Sequence, residues 1–178
     1  MKKILFNKKF DIFFIFFVFP THLSAINIGT INISYILEQS TSYNNFLDEL
    51  TKKKLELQNS LDTKERELTK LKQEIDNSKL IINEDELNLM ISNYNDQLNN
   101  LDQEVKKINL FFSKNIEINK NIIIKQIISY IENISINSNI DIILTEEQYF
   151  MSSKQIDISN KIINLLNDDV IQLKIIDE

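Results

Sequence analysis

The 178-residue chain contains no cysteine and no tryptophan, and only one glycine, one proline and one histidine. Without cysteine it can form neither disulfides nor thiolate metal sites. So little glycine and proline removes most of the turn chemistry that all-β folds and glycine-rich nucleotide loops need. Collagen-like, disulfide-stapled and loop-rich folds are therefore excluded. The 43% hydrophobic and 26% charged residues indicate a folded chain, of a length that suits one domain.

The first 25 residues have the organisation of a secretory signal peptide. A basic start is followed by an unbroken apolar run over residues 12–19, which Pro20 ends, and Leu23-Ser24-Ala25 places a small residue before the cut. The run is far shorter than the roughly 20 apolar residues of a spanning helix. We expect cleavage after Ala25; an uncleaved anchor is the alternative.

Export would leave an acidic chain without the usual catalytic side chains. Removal of residues 1–25 takes away four lysines, one aspartate and the only histidine, so the net charge changes from −6 to −9. With neither His nor Cys left, the usual zinc sites, cysteine nucleophiles and histidine-based triads are excluded. We therefore predict no catalytic residue, no metal and no cofactor. Nucleic-acid binding is disfavoured, since it needs a basic surface to displace phosphate counterions.

The middle of the chain has the pattern of a long helical hairpin. Residues 34–136 contain no Gly and no Pro, and apolar residues recur at alternating steps of four and three, the period of a left-handed coiled coil. Pairing positions whose numbers sum to 169 gives one constant antiparallel register. The pairs are Ile82 with Leu87, Ser78 with Ile91, Ile75 with Tyr94, Leu71 with Leu98, Leu68 with Leu101, Lys64 with Val105, Leu61 with Ile108 and Leu57 with Phe112.

The reversal of the hairpin is predicted at residues 83–86. There Asn83 can cap the returning helix, and three acidic residues suit its positive end. The seam weakens toward the base, where Lys54 would face Asn115 and Leu50 would face Asn119, so we expect a slip of register around residues 113–121. The Ile-rich segment that follows is apolar on most sides and should enter a compact body.

The two ends of the chain are predicted to form that body. Residues 26–33 alternate apolar and polar side chains as a strand does, residues 140–144 form a second strand, and residues 148–151 form a third. A short helix over residues 160–166 follows the capping oxygens of Asp157-Ile158-Ser159. The fold class is thus α+β: a body of residues 26–33 and 122–178, and a hairpin of residues 34–121.

So few strands in one chain enclose little core, which favours closure of the sheet between subunits. The apolar strand residues assigned to this oligomer body are Ile28, Ile31, Ile33, Ile142 and Leu144. Their short edges are poorly protected unless another chain pairs with them. An independently folded monomeric α+β domain is the alternative.

In order and spacing, several segments resemble the Skp/OmpH family of periplasmic chaperones. They are Ile28-Gly29-Thr30-Ile31-Asn32, the helix opening Tyr35–Ser40, the segment Asn139–Leu144, Tyr149–Ser152 and residues 157–163. The resemblance covers essentially all of residues 26–178. It implies a periplasmic homotrimer with a β-barrel body and three helical tentacles, whose cavity holds unfolded outer-membrane proteins without ATP and with at most transient membrane contact. Because well-studied members are basic, no lipopolysaccharide-binding cluster is transferred to this acidic chain.

Apolar residues outside the seam are the candidates for contact with clients. Near the tip the register places Leu80 and Leu89 at f and Ile81 and Met90 at g; lower down, Leu55 falls at b, Leu110 at f and Phe111 at g. Such positions normally carry polar side chains, so these seven form candidate client-binding patches. Contacts between arms, or tolerated Ile and Leu in a biased composition, are the alternatives. A structural coiled-coil adaptor of an envelope or export assembly is the competing function.

Overall fold

The computed structural model describes residues 25–177, so the predicted signal peptide, apart from Ala25, lies outside the described residues. Within this range the order is β1 (Ile28–Ile31), α1 (Ile33–Gln39), α2 (Thr41–Ser78), α3 (Glu84–Ser138), β2 (Ile142–Thr145) and α4 (Ser159–Asp168). Long helices joined to a small sheet confirm the predicted α+β class.

Helices α2 and α3 form the hairpin, with 38 and 55 residues. At 1.5 Å per residue α3 alone is about 80 Å long. Its first turn begins as predicted: the Asn83 side chain accepts a hydrogen bond from the Glu86 N–H at 2.9 Å, and Glu84, Asp85 and Glu86 occupy the positive end. At the other end of the hairpin Ser40 separates α1 from α2 and caps α2 through its hydroxyl.

The seam between the arms agrees with the predicted register in the middle of the hairpin. Leu61, Leu68 and Leu101 are buried in one cluster, against which Tyr94, Val105 and Ile108 pack. Lys64 forms an ion pair with Glu104, the neighbour of its predicted partner Val105. Nearer the tip the seam is thinner than predicted, because Ile91 and Leu98 remain exposed in a contact made by only two helices.

The sheet has two parallel strands, with Ile28 opposite Ile142 and Ile31 opposite Thr145. On the other side of β1 the chain of residues 156–158 runs alongside: the Thr30 N–H donates to the Ile156 carbonyl at 2.8 Å, and the Ile158 N–H donates to the Thr30 carbonyl at 3.0 Å. Strand β1 is therefore central, and the outer edge of β2 is the side without a strand partner in the described chain.

The body of the fold differs from the prediction at three places: the end of β1, the third strand and the cap of α4. Strand β1 ends at Ile31 because Asn32 leaves it to cap α1, accepting from the Tyr35 N–H at 2.8 Å, and Ile33 becomes the first residue of that helix. The prediction of a third strand at residues 148–151 was wrong, because a turn follows β2 there. Residues 156–158 lie beside β1 instead. The Ser159 hydroxyl, predicted to cap α4, instead accepts from the Asn32 N–H, while Asp157 accepts from the Ser159 N–H.

The main core lies where the base of the hairpin meets the sheet and α4. Ile36, Ile123, Ile162 and Leu166 are fully buried there. The buried stripe of α3 continues down the helix in steps of three and four: Asn115, Asn119, Ile123, Ile127, Tyr130 and Ile134. Two asparagines thus occupy core positions next to four large apolar and aromatic residues.

Candidate functional site

Four apolar side chains near the tip of the hairpin, here called the tip patch, are exposed or half-buried: Leu80, Ile81, Leu89 and Met90. Leu80, Ile81 and Leu89 are 97%, 83% and 70% exposed, and Met90 is half-buried. They lie on both sides of the reversal because Leu80 and Ile81 fall in the turn after α2, and Leu89 and Met90 in the second turn of α3. Two helices offer no further layer to cover them, so the patch is open to solvent.

The three remaining candidates lie lower on the arms, and the structure separates them. Leu55 is exposed on α2 and does not line the pocket that the other two share. Leu110 and Phe111 on α3 line one open pocket of about 340 Å³, together with Lys107, Ile108, Lys114, Asn115, Ile118 and Ile176. Leu110 is exposed, whereas Phe111 is half-buried and meets Phe112 edge to face at 5.2 Å. Of the three lower candidates, this pocket therefore brings together two.

The five residues assigned to an oligomer body have different surroundings. Ile28 and Ile142, directly opposite each other in the sheet, are both exposed. Leu144 and Ile33 are half-buried, and Ile31 is fully buried in the core of its own chain. Ile31 is therefore not available to a neighbouring subunit, because α1, α4 and the base of the hairpin already cover it. Phe150 and Met151, beyond β2, add exposed apolar surface at this end.

Residues 169–177, here called the C-terminal tail, form a site that the sequence analysis missed. The tail begins with a tight turn, in which the Ile171 N–H donates to the Asp169 carbonyl at 3.2 Å, and then runs along α3, where the two buried asparagines bind its backbone. Asn119 Nδ2 donates to the Lys174 carbonyl at 3.0 Å, and Asn119 Oδ1 accepts from the Lys174 N–H at 3.1 Å. Asn115 repeats the arrangement one helical turn away with Ile176, at 3.2 and 2.8 Å. Each amide thus pairs with both backbone groups of one tail residue, as a neighbouring β-strand would.

The burial of these asparagines requires such partners. Asn115 and Asn119 are 2% and 1% exposed, and an unpaired buried amide costs about 1–3 kcal/mol. The second Nδ2 hydrogen of each donates to a helix carbonyl, that of Phe111 or of Asn115, so both hydrogens of each amide nitrogen are used. In the described chain no buried side-chain nitrogen or oxygen lacks a partner.

A tyrosine anchors the start of the tail. The Tyr130 hydroxyl of α3 hydrogen-bonds the Asp169 carboxylate, just after α4 ends. Burial raises the pKa of Tyr130, and the bond to Asp169 raises it further, so the hydroxyl stays a donor. Along the tail, Ile171, Leu173 and Ile175 turn alternate side chains toward the core. The tail is therefore held by backbone pairing on one side and apolar packing on the other.

In residues 25–177 no three His, Asp or Glu side chains come close enough to hold a metal ion. None of the helices in this part of the chain combines the length and apolar character needed to cross a bilayer.

A long two-helix arm standing on a small mixed base defines the class of fold. A family model described as outer membrane protein (OmpH-like) matches residues 27–166, and the chain belongs to this family. In fold it is similar to the crystal structure of a candidate outer membrane chaperone (OmpH-like) from Caulobacter crescentus CB15. That likeness has a TM-score of 0.67 at 12% identity, over 82% of this chain and 86% of the other. No curated protein sequence matches significantly. The tail lies beyond the residues that the family model matches.

Proposed function

We propose that this chain is a periplasmic holdase chaperone, which binds unfolded outer-membrane proteins and prevents their aggregation without ATP. The observation that carries the proposal is the tip patch: an arm too thin to bury Leu80, Ile81 and Leu89 presents them to solvent beyond α2, a helix about 57 Å long. Such a surface suits unfolded apolar segments, which offer no fixed shape to match. Met90 adds an adaptable side chain. Membership of the OmpH-like family supports the same function.

We also propose that the chain works as a homotrimer joined through its sheet. The outer edge of β2 lacks a strand partner in the described chain, and Ile28 and Ile142 are exposed beside it. An apolar edge of this kind is protected when a neighbouring subunit adds a strand. Native mass measurement of the mature protein should give three chains. A stable monomer at micromolar concentration would contradict the trimer without deciding the chaperone function.

The direct test is suppression of aggregation. Several outer-membrane porins of unrelated sequence are unfolded in urea and diluted into buffer with or without the mature protein, and light scattering is followed. We expect scattering to fall for every porin, with no effect of added ATP. An equal concentration of an unrelated folded protein is the control and should leave scattering unchanged. A coiled-coil adaptor with one defined partner would leave the porins to aggregate, and that result would overturn the chaperone proposal.

A further inference from the structure

The C-terminal tail occupies a groove on α3 whose chemistry suits any extended peptide. The two asparagines contact only backbone groups of Lys174 and Ile176, so their hydrogen bonds carry no preference for particular side chains. On the side of the tail that packs against the core, every second residue is apolar, as Ile171, Leu173 and Ile175 are. Transmembrane β-strands have this alternation, because one face meets lipid and the other the barrel interior.

The length of the groove also suits a longer occupant than the tail. From Asn119 to Asn115 the helix advances about 6 Å, and the two steps of the tail from Lys174 to Ile176 cover about 7 Å when extended, so helix and tail keep a common spacing. The groove then continues into the open pocket at Phe111 and Lys107. Over its full length, from Tyr130 to Lys107, it spans about 35 Å, which equals about ten extended residues. A transmembrane β-strand has about 9–11.

We propose that this groove is a binding site for transmembrane β-strand segments of unfolded outer-membrane proteins, and that the tail is a resident mimic which such a segment displaces. The inference rests on the proposed function and adds to it a second client site at the base of the arm. A client strand that fills the pocket as well as the track of the tail buries more apolar surface than the tail does. The tail lies beyond residues 27–166, the part of the chain that the family model matches.

Displacement is testable with a fluorescent peptide of the tail sequence, residues 169–178. In the intact protein the tail is tethered, which gives it an effective concentration of roughly millimolar, so the free peptide should bind weakly. The full-length double variant Leu173→Ser and Ile175→Ser weakens the resident tail and should bind the peptide at least tenfold more tightly. The matched control, Gln172→Ser and Lys174→Ser, changes side chains that face solvent and should behave as the unaltered chain.

Backbone recognition is tested without altering the protein further. N-methylation of the peptide at Lys174 and Ile176 removes the two N–H groups that the asparagines accept, and should weaken its binding to the tail-weakened variant at least tenfold. Methylation at Leu173 and Ile175 imposes the same conformational restriction and should cost much less. Equal losses at both sets of positions would overturn the backbone-pairing mechanism.

The occupant is identified by competition. An unlabelled synthetic porin strand of ten alternating apolar and polar residues should displace the fluorescent peptide, whereas a peptide of the same composition with its apolar residues in one block should not. Failure of the alternating strand to compete would reserve the groove for the tail and overturn the inference. Displacement only by the tail of a second copy, detected as concentration-dependent self-association, would do so as well. Porin holding is measured separately, so a chain that suppresses aggregation but fails competition loses this site and keeps its proposed function.

Discussion

Glu146, in the turn after β2, caps the first turn of α1 through Ser34. One carboxylate oxygen accepts from both the N–H and the hydroxyl of Ser34, at 2.9 and 3.0 Å, and the other accepts from the Ile33 N–H at 2.9 Å. A negative charge is thereby fixed at the positive end of a helix. Because this carboxylate joins the turn after the sheet to the start of α1, it links two parts of the fold that lie far apart in sequence.

The first prediction concerns pH. Burial alone would raise the pKa of Glu146, but the hydrogen bonds from Ser34 and Ile33 outweigh it and hold the pKa below the usual range. A lowered folded-state pKa gives stability that is present above the unfolded value of about 4.3 and is lost as pH falls through the folded-state pKa. Glu146→Gln should therefore lower the free energy of unfolding at pH 7 by about 1 kcal/mol, and the melting temperature should fall with it.

The difference between the two proteins should shrink as pH is lowered below the unfolded value of about 4.3 and through the lower folded-state pKa, because protonation removes the same charge from the original chain. Thermal unfolding followed by circular dichroism at a series of pH values measures it. Glu147→Gln, at an exposed neighbour, is the control for the loss of one charge. A difference that persists unchanged at the acidic end of the series would show that the carboxylate charge contributes nothing.

The second prediction concerns the asparagines that bind the tail. Asn119→Ala removes the partner of the Lys174 N–H and carbonyl, and should lower the free energy of unfolding by about 1–3 kcal/mol. Asn133→Ala is the matched control: it lies on the same helix and bonds a carbonyl four residues back, but it is exposed, so its loss should cost less than about 0.5 kcal/mol. Urea unfolding measures both, and equal effects would contradict the role given to the tail.

The third prediction is a gradient of stability along the hairpin. The tip is held by a thin seam of two helices, whereas residues such as Ile123 and Ile127 pack against α1, α4 and the sheet. Local opening should therefore cost least near the tip. Amide hydrogen exchange should be fastest in residues 76–92 and slowest in residues 122–144. Uniform protection along both arms would contradict the gradient.

What the sequence could predict was set by the distance between interacting residues. The Asn83 cap and the Leu68–Leu101 layer follow from local signals, a capping residue and a heptad period, and both were found. The roles of Asn115 and Asn119 depend on contacts with tail residues up to 61 positions away. A periodic pattern of apolar residues cannot indicate such contacts, so the two asparagines were interpreted as weak positions of the seam. The alternating Ile171, Leu173 and Ile175 were the available signal for an extended tail.

The wrongly predicted third strand has a similar physical cause. Residues 148–151 have a strand-like composition, but the preceding Glu146 is held at the start of α1, which turns the chain away from the sheet. Residues 156–158 then reach β1 instead. One of the interactions that hold this turn is a side-chain contact across 112 residues, which intrinsic β-propensity cannot anticipate; the others join Gln148 to Thr145.

The last prediction tests the tip patch. Changing Leu80, Ile81, Leu89 and Met90 together to Ser or Gln removes apolar surface that the folded chain leaves open, so the unfolding free energy should change little. Holding of unfolded porins should weaken, measured as the protein concentration that halves light scattering, which we expect to rise several-fold. The matched control changes Asn77, Asn88 and Asn95, exposed polar residues of the same region, to Ser. Because Leu110 and Phe111 lie far down the arm, adding the tip changes to the tail-weakened variant should leave its binding of the tail peptide unchanged. Undiminished holding by a tip variant with unchanged native mass would reject the tip patch as a client site and leave the groove at the base of the arm as the place where clients bind.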